Sequence, residues 1–418
     1  MRPVVYSARN LEEVEAIEEK AIRAVSNAQA RWVRLGVAWD RWLFHVLGSL
    51  LFGKVPPPER VKFIAAYVPS HLGDRLMTVP AIAALRQAYP GAKIAVATSG
   101  PPAAIQELLS YQPLADDIVF LKENPVWRRG TLLEFDPALA RLKWCDLFVN
   151  LHPSWDRGWA KSVLKKLLLA RHIGAHSAVG LGVPTAARVG KPCRVPGLFV
   201  SNDPKRPQKV LEELGLAWPQ AELSLPSSED KASSIRRKIE ALGKEGPLII
   251  LNPGAWLPAN RWPAERFGEV GRELQKSHAA RIVCVGTEGE APICSQTLQG
   301  IQGLNLAGRT DVVELLELLR MANLCITNDT GTMHCASMVG CPTLALFATS
   351  KTPHMCFPLG RHVTVLLAYL KDYYDGRWQG PPHESLLAIQ TEDVVRAAEA
   401  MLGQTQAAGR PKAERTHG

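Results

Sequence analysis

A chain of 418 residues is too long for one hydrophobic core of ordinary size, and its 46% hydrophobic content excludes a disordered protein. The net charge of +9 favours an acidic partner, which composition leaves open as nucleic acid, an anionic membrane surface or a phosphorylated substrate. The eight cysteines include no Cys-x-x-Cys pair, a usage typical of a reducing compartment and of a chain without a disulfide framework or zinc site. The N-terminus lacks the layout of a signal peptide, so the protein is predicted to be cytoplasmic.

The N-terminal segment, residues 1–58, is predicted to be a helical extension. Residues 10–30 are charged and Ala-rich, as expected of an exposed helix. The next stretch, ARWVRLGVAWDRWLFHVLGSLLFGK (residues 30–54), is the most hydrophobic of the chain, but charged residues interrupt it too often for a transmembrane helix. Tryptophan mixed with arginine suits a helix lying in a membrane interface. The same periodicity suits a helix docked on the protein itself or on a second subunit, so both interpretations stay open.

From Val61 onwards, strands alternate with helices, which predicts parallel sheets with helical crossovers. Residues 190–246 are rich in Pro, Ser and charge and contain a predicted connection between lobes. The predicted fold class is α/β, with two doubly wound, Rossmann-like lobes and a cleft in which ligands lie beyond the carboxyl ends of the strands. The predicted domains after the extension are an N-terminal lobe of residues 59–235, a C-terminal lobe of residues 236–402 and a disordered tail of residues 403–418.

The segment NDTGTMHCASMVGCP, residues 328–342, begins at the end of a predicted strand and continues into a helix. Thr330 or Thr332 can cap that helix, and Gly331 lets the backbone approach a ligand closely. Free N–H groups at the helix start, the helix dipole and the threonine hydroxyls would together bind an anion such as a diphosphate. The alternative is an ordinary capped helix with a histidine packed behind it.

Three further loops place polar side chains at predicted strand ends. Gly73-Asp74 puts a carboxylate there that could remove a proton from a hydroxyl group, although a helix-capping aspartate is the simpler interpretation. Arg261 precedes the Trp-Pro pair that opens a helix, and a guanidinium beside phosphates neutralises leaving-group charge. Glu288 and Glu290 follow another strand, where an acceptor for ribose hydroxyls would lie.

These loops, in this order, resemble glycosyltransferase family 9, the heptosyltransferases of the lipopolysaccharide inner core. The resemblance runs from about residue 61 to about residue 360 and is most specific in GDRLMTVPAIAALRQAYP and TNDTGTMHCASMVGCPTLALF. It implies a GT-B fold and an inverting, metal-independent transfer of a sugar from a nucleotide diphosphate donor. It also implies ADP-heptose as the donor, an anionic glycolipid as the acceptor and no cofactor. Such an acceptor would place the protein at the cytoplasmic membrane surface.

The family's site residues carry over onto positions of this chain. Asp74 resembles the catalytic base, Arg261 the phosphate-side cation, and Glu288 or Glu290 the ribose-binding acid. The resemblance assigns donor binding to five residues of the helix segment, namely Asp329, Thr330, Gly331, Thr332 and His334.

The chain departs from the family at the residue before Arg261, where Asn260 replaces a lysine, and either Arg261 or Lys351 would have to supply the phosphate contact in its place. Lys161 and Lys165, on a predicted helix, could meet an anionic acceptor, although a basic run is more often a solvated face. The missing lysine favours a second hypothesis, a non-catalytic protein that binds a nucleotide or glycan and assembles through its N-terminal helix. No nucleic-acid partner is expected, since basic residues are not interleaved with aromatics on one face.

Overall fold

The structure is a computed structural model. It describes residues 5–10, 12–14, 46, 48, 50–69, 72–99, 114–122, 126–129, 132–151, 159–181, 206–219, 225, 227–348, 357–368 and 384–407. Most of the Trp-rich segment, Lys351 and the last part of the predicted tail lie outside these residues. In the described part of the chain, no helix combines the length and the apolarity needed to cross a membrane.

The described residues form fourteen strands and eleven α-helices. The strands are β1 (Val5–Ala8), β2 (Phe63–Tyr67), β3 (Lys93–Ser99), β4 (Asp117–Leu121), β5 (Val126–Arg129), β6 (Leu132–Phe135), β7 (Leu147–Asn150), β8 (Ser177–Val179), β9 (Leu248–Asn252), β10 (Arg281–Cys284), β11 (Gly303–Asn305), β12 (Leu324–Asn328), β13 (Thr343–Phe347) and β14 (Val363–Ala368). The helices are α1 (Leu72–Leu76), α2 (Val79–Ala88), α3 (Trp159–His172), α4 (Arg206–Glu213), α5 (Glu229–Ile239), α6 (Ala264–His278), α7 (Ala291–Thr297), α8 (Val312–Met321), α9 (Gly331–Met338), α10 (Glu384–Ala388) and α11 (Thr391–Ala407).

The chain divides into two compact units. The N-terminal unit comprises residues 15–226 and 354–357, and the C-terminal unit comprises residues 1–14, 227–353 and 358–418. The domain boundary expected at residue 235 therefore differs from the observed division, because it falls inside α5. That helix packs on α8 and belongs wholly to the C-terminal unit. At the other end, α11 continues past the predicted start of the tail, to Ala407.

The sheet of the N-terminal unit has five parallel strands in the order β4-β3-β2-β7-β8. Successive residues of β2 enter different cores, because side chains of a strand alternate between the faces of its sheet. Ile64 and Ala66 join the core that includes residues of α2, whereas Ala65 and Tyr67 join the core that includes residues of α3. Helical cover on both faces explains why these strands read as continuous apolar runs. A separate antiparallel hairpin joins β5 to β6.

Residues just before β2 are also part of the N-terminal unit. Phe52 is buried in its core. The N–H of Gly53 donates to the carbonyl of His176 at 2.8 Å, and the hydroxyl of Ser177 donates to the carbonyl of Lys54 at 2.8 Å. The end of the segment predicted as a separate extension is therefore integrated into this fold.

The sheet of the C-terminal unit has seven strands in the order β1-β14-β13-β12-β9-β10-β11. All pairs are parallel except β1 with β14. Trp262 and Phe267 are fully buried against this sheet and meet edge to face, with ring centroids 5.1 Å apart. The core therefore begins directly beside the loop that joins β9 to α6.

Strand β1 lies within the segment that the sequence predicted to be helical. It pairs antiparallel with β14, with Val5 opposite Ala368 and Ala8 opposite Val365. All six residues of β14 are buried, and without β1 that strand would be an open sheet edge. Periodicity did not reveal β1 because four residues are too few for an alternating pattern to stand out.

Helix α1 holds the Gly73-Asp74 pair, which the sequence predicted to lie in a strand-end loop. The helix begins five residues after the last residue of β2. Asp74 is thus presented on a helical turn between β2 and α2, and its place after the first strand of the lobe is as expected.

Candidate functional site

Several strand ends meet at the carboxyl edge of the C-terminal sheet, and Asn252, the last residue of β9, connects three of them. Its Nδ2 donates to the carbonyl of Val285, just after β10, at 2.9 Å. Its Oδ1 accepts the hydroxyl of Thr330 at 3.0 Å and that of Thr327, in β12, at 3.2 Å. Asn252 is buried, so these bonds are made away from water and set the spacing between the three loops.

A second buried asparagine, Asn328 at the end of β12, anchors the loop between β9 and α6. Its Nδ2 donates to the carbonyls of Pro253 at 2.9 Å and Gly254 at 3.2 Å. Its Oδ1 accepts the N–H of Trp262 at 3.1 Å. Both ends of the loop are therefore held on the neighbouring strand.

Arg261 lies at the end of this anchored loop and is partly buried. Its Nε donates to the carbonyl of Ala255 at 2.8 Å. No other hydrogen bond or ion pair of its guanidinium occurs among the described residues, so the terminal nitrogens remain available to an anion. Asn260, at the position of the family's lysine, is a buried residue of the short 3₁₀ helix Pro258–Asn260.

Thr330 occupies the N-cap position of α9 in an extended conformation, but its side chain makes no capping bond to the helix. The hydroxyl donates to Asn252 instead. Of the two threonines predicted as caps, Thr330 therefore occupies the cap position without capping the helix through its hydroxyl, and its role toward an anion stays a prediction. Thr332 and Gly331 follow in the first turn, and the Thr332 hydroxyl makes no hydrogen bond among the described residues. Asp329, just before the cap, is partly buried.

His334 lies one turn into α9 and is almost fully buried, with 3% of its surface exposed. Desolvation by this burial lowers the pKa of the imidazole to about 4. The ring is therefore neutral at physiological pH.

The two glutamates after β10 have different environments. Glu290 accepts the N–H of Thr287 at 2.8 Å and its hydroxyl at 2.9 Å. Its carboxylate also lies against Gly254, where a Cβ atom would come within 2.2 Å of Oε1, so any larger residue there would displace this carboxylate. Glu288 is exposed, in the short 3₁₀ helix Glu288–Glu290. Glu290 is thus engaged in holding the loop, and Glu288 is the freer of the two carboxylates.

The remaining predicted residues belong elsewhere. Asp74 lies on α1 of the N-terminal unit, as Lys161 and Lys165 lie on α3. Lys165 is partly buried. Lys351 is outside the described residues. Among the described residues, the predicted site residues of the C-terminal unit therefore lie at one sheet edge, near Asn252.

Asn252 and Asn328 were not singled out by the sequence, although a signal existed. Both are the last residues of fully buried strands, LIILN and LCITN, and both precede a turn-forming sequence. A buried amide at such a position must find hydrogen-bond partners, and the neighbouring strand ends supply them.

Comparisons with known proteins show what this chain is similar to. Residues 201–376 match the family described as glycosyltransferase family 9 (heptosyltransferase). Lipopolysaccharide heptosyltransferase 3 of Escherichia coli strain K12 is 26% identical over 357 residues, which are 79% of this chain and 95% of that protein. The chain therefore resembles glycosyltransferase family 9, as its sequence predicted. It is accordingly a glycosyltransferase enzyme, and the prediction of the reaction class is confirmed.

Other proteins match this chain over shorter stretches or in fold. Lipopolysaccharide heptosyltransferase 2 of Salmonella typhimurium is 28% identical over 199 residues, which are 45% of this chain and 55% of that protein. The crystal structure of a family 9 glycosyltransferase from Veillonella parvula covers 82% of this chain and 98% of its own, with 22% identity and a TM-score of 0.62. The structure of the E. coli ADP-heptose lps heptosyltransferase II covers 82% of this chain and 99% of its own, with 22% identity and a TM-score of 0.58. These similarities confirm the predicted GT-B type fold.

Proposed function

We propose that this protein transfers heptose from ADP-heptose to an anionic, lipopolysaccharide-type acceptor, with inversion and without a metal ion. The observation that carries the proposal is the uncapped start of α9 in the same loop cluster as the guanidinium of Arg261. Relatives named as lipopolysaccharide heptosyltransferases, and one named for ADP-heptose, support the choice of sugar, nucleotide and acceptor.

The diphosphate of the donor is assigned to the start of α9. The N–H groups of the first turn point out of the helix and lie at the positive end of its dipole. Because the Thr330 hydroxyl is held by Asn252, it does not compete with a phosphate for those groups. The Thr332 hydroxyl and the terminal nitrogens of Arg261 add donors and positive charge, with Lys351 as a further candidate cation.

The nucleoside is assigned to the neighbouring loops. Glu288 is proposed to accept the ribose hydroxyls, because Glu290 is engaged with Thr287 and Gly254. Asp329 and the neutral His334 complete the donor contacts. The buried side chains of Asn252 and Asn328 hold these loops in place before the donor binds, which lowers the entropic cost of binding.

Asp74 is the proposed base. It accepts the proton of an acceptor hydroxyl while the hydroxyl oxygen bonds to the anomeric carbon, and the carbon–oxygen bond to the diphosphate breaks on the opposite face. The departing nucleotide diphosphate keeps the bonding electrons, and fixed N–H groups and cations stabilise its charge. Lys161 and Lys165 are proposed contacts for acidic groups of the acceptor.

A lipid-linked acceptor lies at the inner face of the cytoplasmic membrane, and we place the enzyme there as a peripheral protein. The Trp-rich sequence of residues 30–54 supports this location.

The test is a transfer assay with ADP-heptose and a lipopolysaccharide inner-core acceptor, followed by mass spectrometry of the product. We expect turnover in the presence of EDTA, and a weaker response to UDP-, GDP- and dTDP-sugars. Asp74→Asn should reduce kcat by about a hundredfold or more while leaving the affinity for ADP nearly unchanged. Glu59→Gln, an exposed acid of the same unit, is the control. Undiminished turnover by Asp74→Asn would exclude this aspartate as the base.

A further inference from the structure

Arg75, the neighbour of Asp74 on α1, is a buried arginine with 5% of its surface exposed. Its Nε donates to the carbonyl of Pro69 at 2.8 Å, and its Nη2 donates to the carbonyl of Ser99 at 2.5 Å. Pro69 follows β2, and Ser99 is the last residue of β3. One guanidinium therefore connects α1 to the ends of two adjacent strands.

The bridge depends on the shape of arginine. A guanidinium presents its donors in a rigid planar fork, so that Nε and Nη2 can reach two carbonyls that lie apart. Burying this cation is costly unless it is hydrogen-bonded, so the bonds are strongly retained. Two threonines support the same cluster, since the Thr98 hydroxyl donates to the Pro69 carbonyl at 2.9 Å and the Thr78 hydroxyl to the Arg75 carbonyl at 2.7 Å.

We propose that Arg75 is a positioning residue, which fixes α1 on the carboxyl ends of β2 and β3 and so holds the backbone of Asp74 for proton transfer. The inference rests on the proposed role of Asp74 as the base. A helix of five residues has little stability of its own, so its position must come from bonds to the sheet. Because proton transfer requires close alignment, a shift of α1 by about 1 Å would lower turnover without affecting donor binding in the other unit.

A matched arginine allows this role to be separated from a general contribution to stability. Arg86, on α2 of the same unit, donates from Nη1 to the carbonyl of Ala92 at 2.8 Å and from Nη2 to the carboxylate of Asp116 at 2.5 Å. Ala92 directly precedes β3, so Arg86 ties its helix to the amino-terminal edge of the sheet. Both arginines bridge a helix to strands, but only Arg75 adjoins Asp74.

Hydrogen exchange of the full-length protein tests the positioning directly and needs no substrate. The N–H of Met77 bonds to Gly73 and that of Thr78 to Arg75, whereas the N–H of Tyr89 bonds to Leu85 at the end of α2. Arg75→Met should speed exchange at Met77 and Thr78 by tenfold or more and leave Tyr89 unchanged. Arg86→Met should speed exchange at Tyr89 and leave exchange at Met77 and Thr78 unchanged. Unchanged exchange at Met77 and Thr78 in Arg75→Met would overturn the proposal.

Kinetics with ADP-heptose and the inner-core acceptor test the consequence. Arg75→Met should lower kcat by about tenfold to a hundredfold, with the KM for ADP-heptose and the affinity for ADP within about twofold of the parent. Arg75→Lys keeps the charge but cannot bond both carbonyls in the same geometry, so its kcat should lie between those of the parent and Arg75→Met. If Arg75→Met does not fold, Arg75→Lys provides the test. Arg86→Met should retain kcat even where its melting temperature falls.

The outcomes separate this inference from the assignment of the base. If Asp74→Asn loses turnover and Arg75→Met does not, the base assignment stands and the positioning role is wrong. If Asp74→Asn keeps full turnover, the proposed base is wrong, and the exchange at Met77 and Thr78 then reports only whether Arg75 holds α1. Equal losses of kcat in Arg75→Met and Arg86→Met would show a general effect of stability and overturn the inference.

Discussion

The hydroxyl of Thr330 donates to the side-chain oxygen of Asn252 across 3.0 Å, away from the helix that Thr330 begins. A threonine at an N-cap ordinarily accepts an N–H from the first turn of its own helix. Here the hydroxyl bonds instead to a residue of the neighbouring strand, so it does not occupy an N–H group of that first turn. The Thr330 hydroxyl is therefore held at the neighbouring strand end and makes no bond to the first turn of α9.

The first prediction concerns this bond. Asn252→Ala should weaken the binding of ADP by about tenfold, because the released Thr330 hydroxyl can turn back and cap α9. Thr330→Val has no hydroxyl with which to cap the helix, and should bind ADP within about threefold of the parent. Isothermal titration calorimetry with ADP measures both.

The double variant Asn252→Ala/Thr330→Val distinguishes this mechanism from simple loss of structure. If the free hydroxyl blocks the helix start, deleting it should restore part of the affinity that Asn252→Ala loses. If Asn252 only stabilises the loops, the double variant should bind no better than Asn252→Ala. The latter result would contradict the prediction.

The second prediction separates the two glutamates after β10. Glu288→Gln should weaken ADP binding by about tenfold, since a carboxylate accepts hydrogen bonds from hydroxyls more strongly than an amide does. Glu290→Gln should mainly lower the melting temperature, because Glu290 holds Thr287 and lies against Gly254. Calorimetry and thermal unfolding of both variants provide the comparison, and a loss of affinity confined to Glu290→Gln would reverse the assignment.

The order of strands and helices follows from the sequence because each apolar run ends in a polar loop with Gly, Pro or Asp. For the same reason, the residues at the strand ends of the C-terminal unit were predicted to lie at one sheet edge, where the structure places Arg261, Asp329 and Glu288. Local pattern is sufficient for such features, since the carboxyl ends of parallel strands share an edge.

The local sequence pattern does not reveal contacts between residues that are far apart in the chain. β1 is a strand only because it meets β14 more than 350 residues later. The direction of the Thr330 hydroxyl depends on Asn252, which is 78 residues away in sequence. Likewise, Glu290 could not be distinguished from Glu288 without the position of Gly254. Each of these features depends on a contact between residues that are distant in sequence.

The third prediction is a pH dependence caused by His334. Burial lowers the pKa of this imidazole from 6.5 to about 4 in the folded protein. Between these values the unfolded chain binds a proton that the folded chain does not, so stability falls as the pH is lowered through this window. The shift corresponds to a loss of up to about 3 kcal/mol at the acidic end.

Replacing His334 by glutamine should therefore flatten the decrease in stability between about pH 6.5 and about pH 4. Urea unfolding at several pH values in this range measures the effect, and His362→Gln, at an exposed position, is the control. Equal acid sensitivity of the parent and His334→Gln would show that other groups account for the loss.

The last prediction concerns the Trp-rich residues 30–54 and must be tested in the full chain. Deleting the N-terminus would also remove β1 from the edge of β14 and Phe52 from the core of the N-terminal unit. Substitution avoids this damage. The combined variant Trp32→Ser, Trp39→Ser and Trp42→Ser removes the aromatic groups suited to a headgroup region and leaves the arginines in place.

If this segment binds the membrane, the parent should sediment with anionic phosphatidylglycerol vesicles and be partly released by salt, since both apolar and electrostatic contacts contribute. The triple variant should lose most of this binding while keeping its melting temperature and its affinity for ADP. Trp144→Ser controls for an exposed tryptophan elsewhere in the N-terminal unit. A segment docked on the protein instead predicts no vesicle binding by the parent and a lower melting temperature for the triple variant, because the same tryptophans would then be packed against the fold.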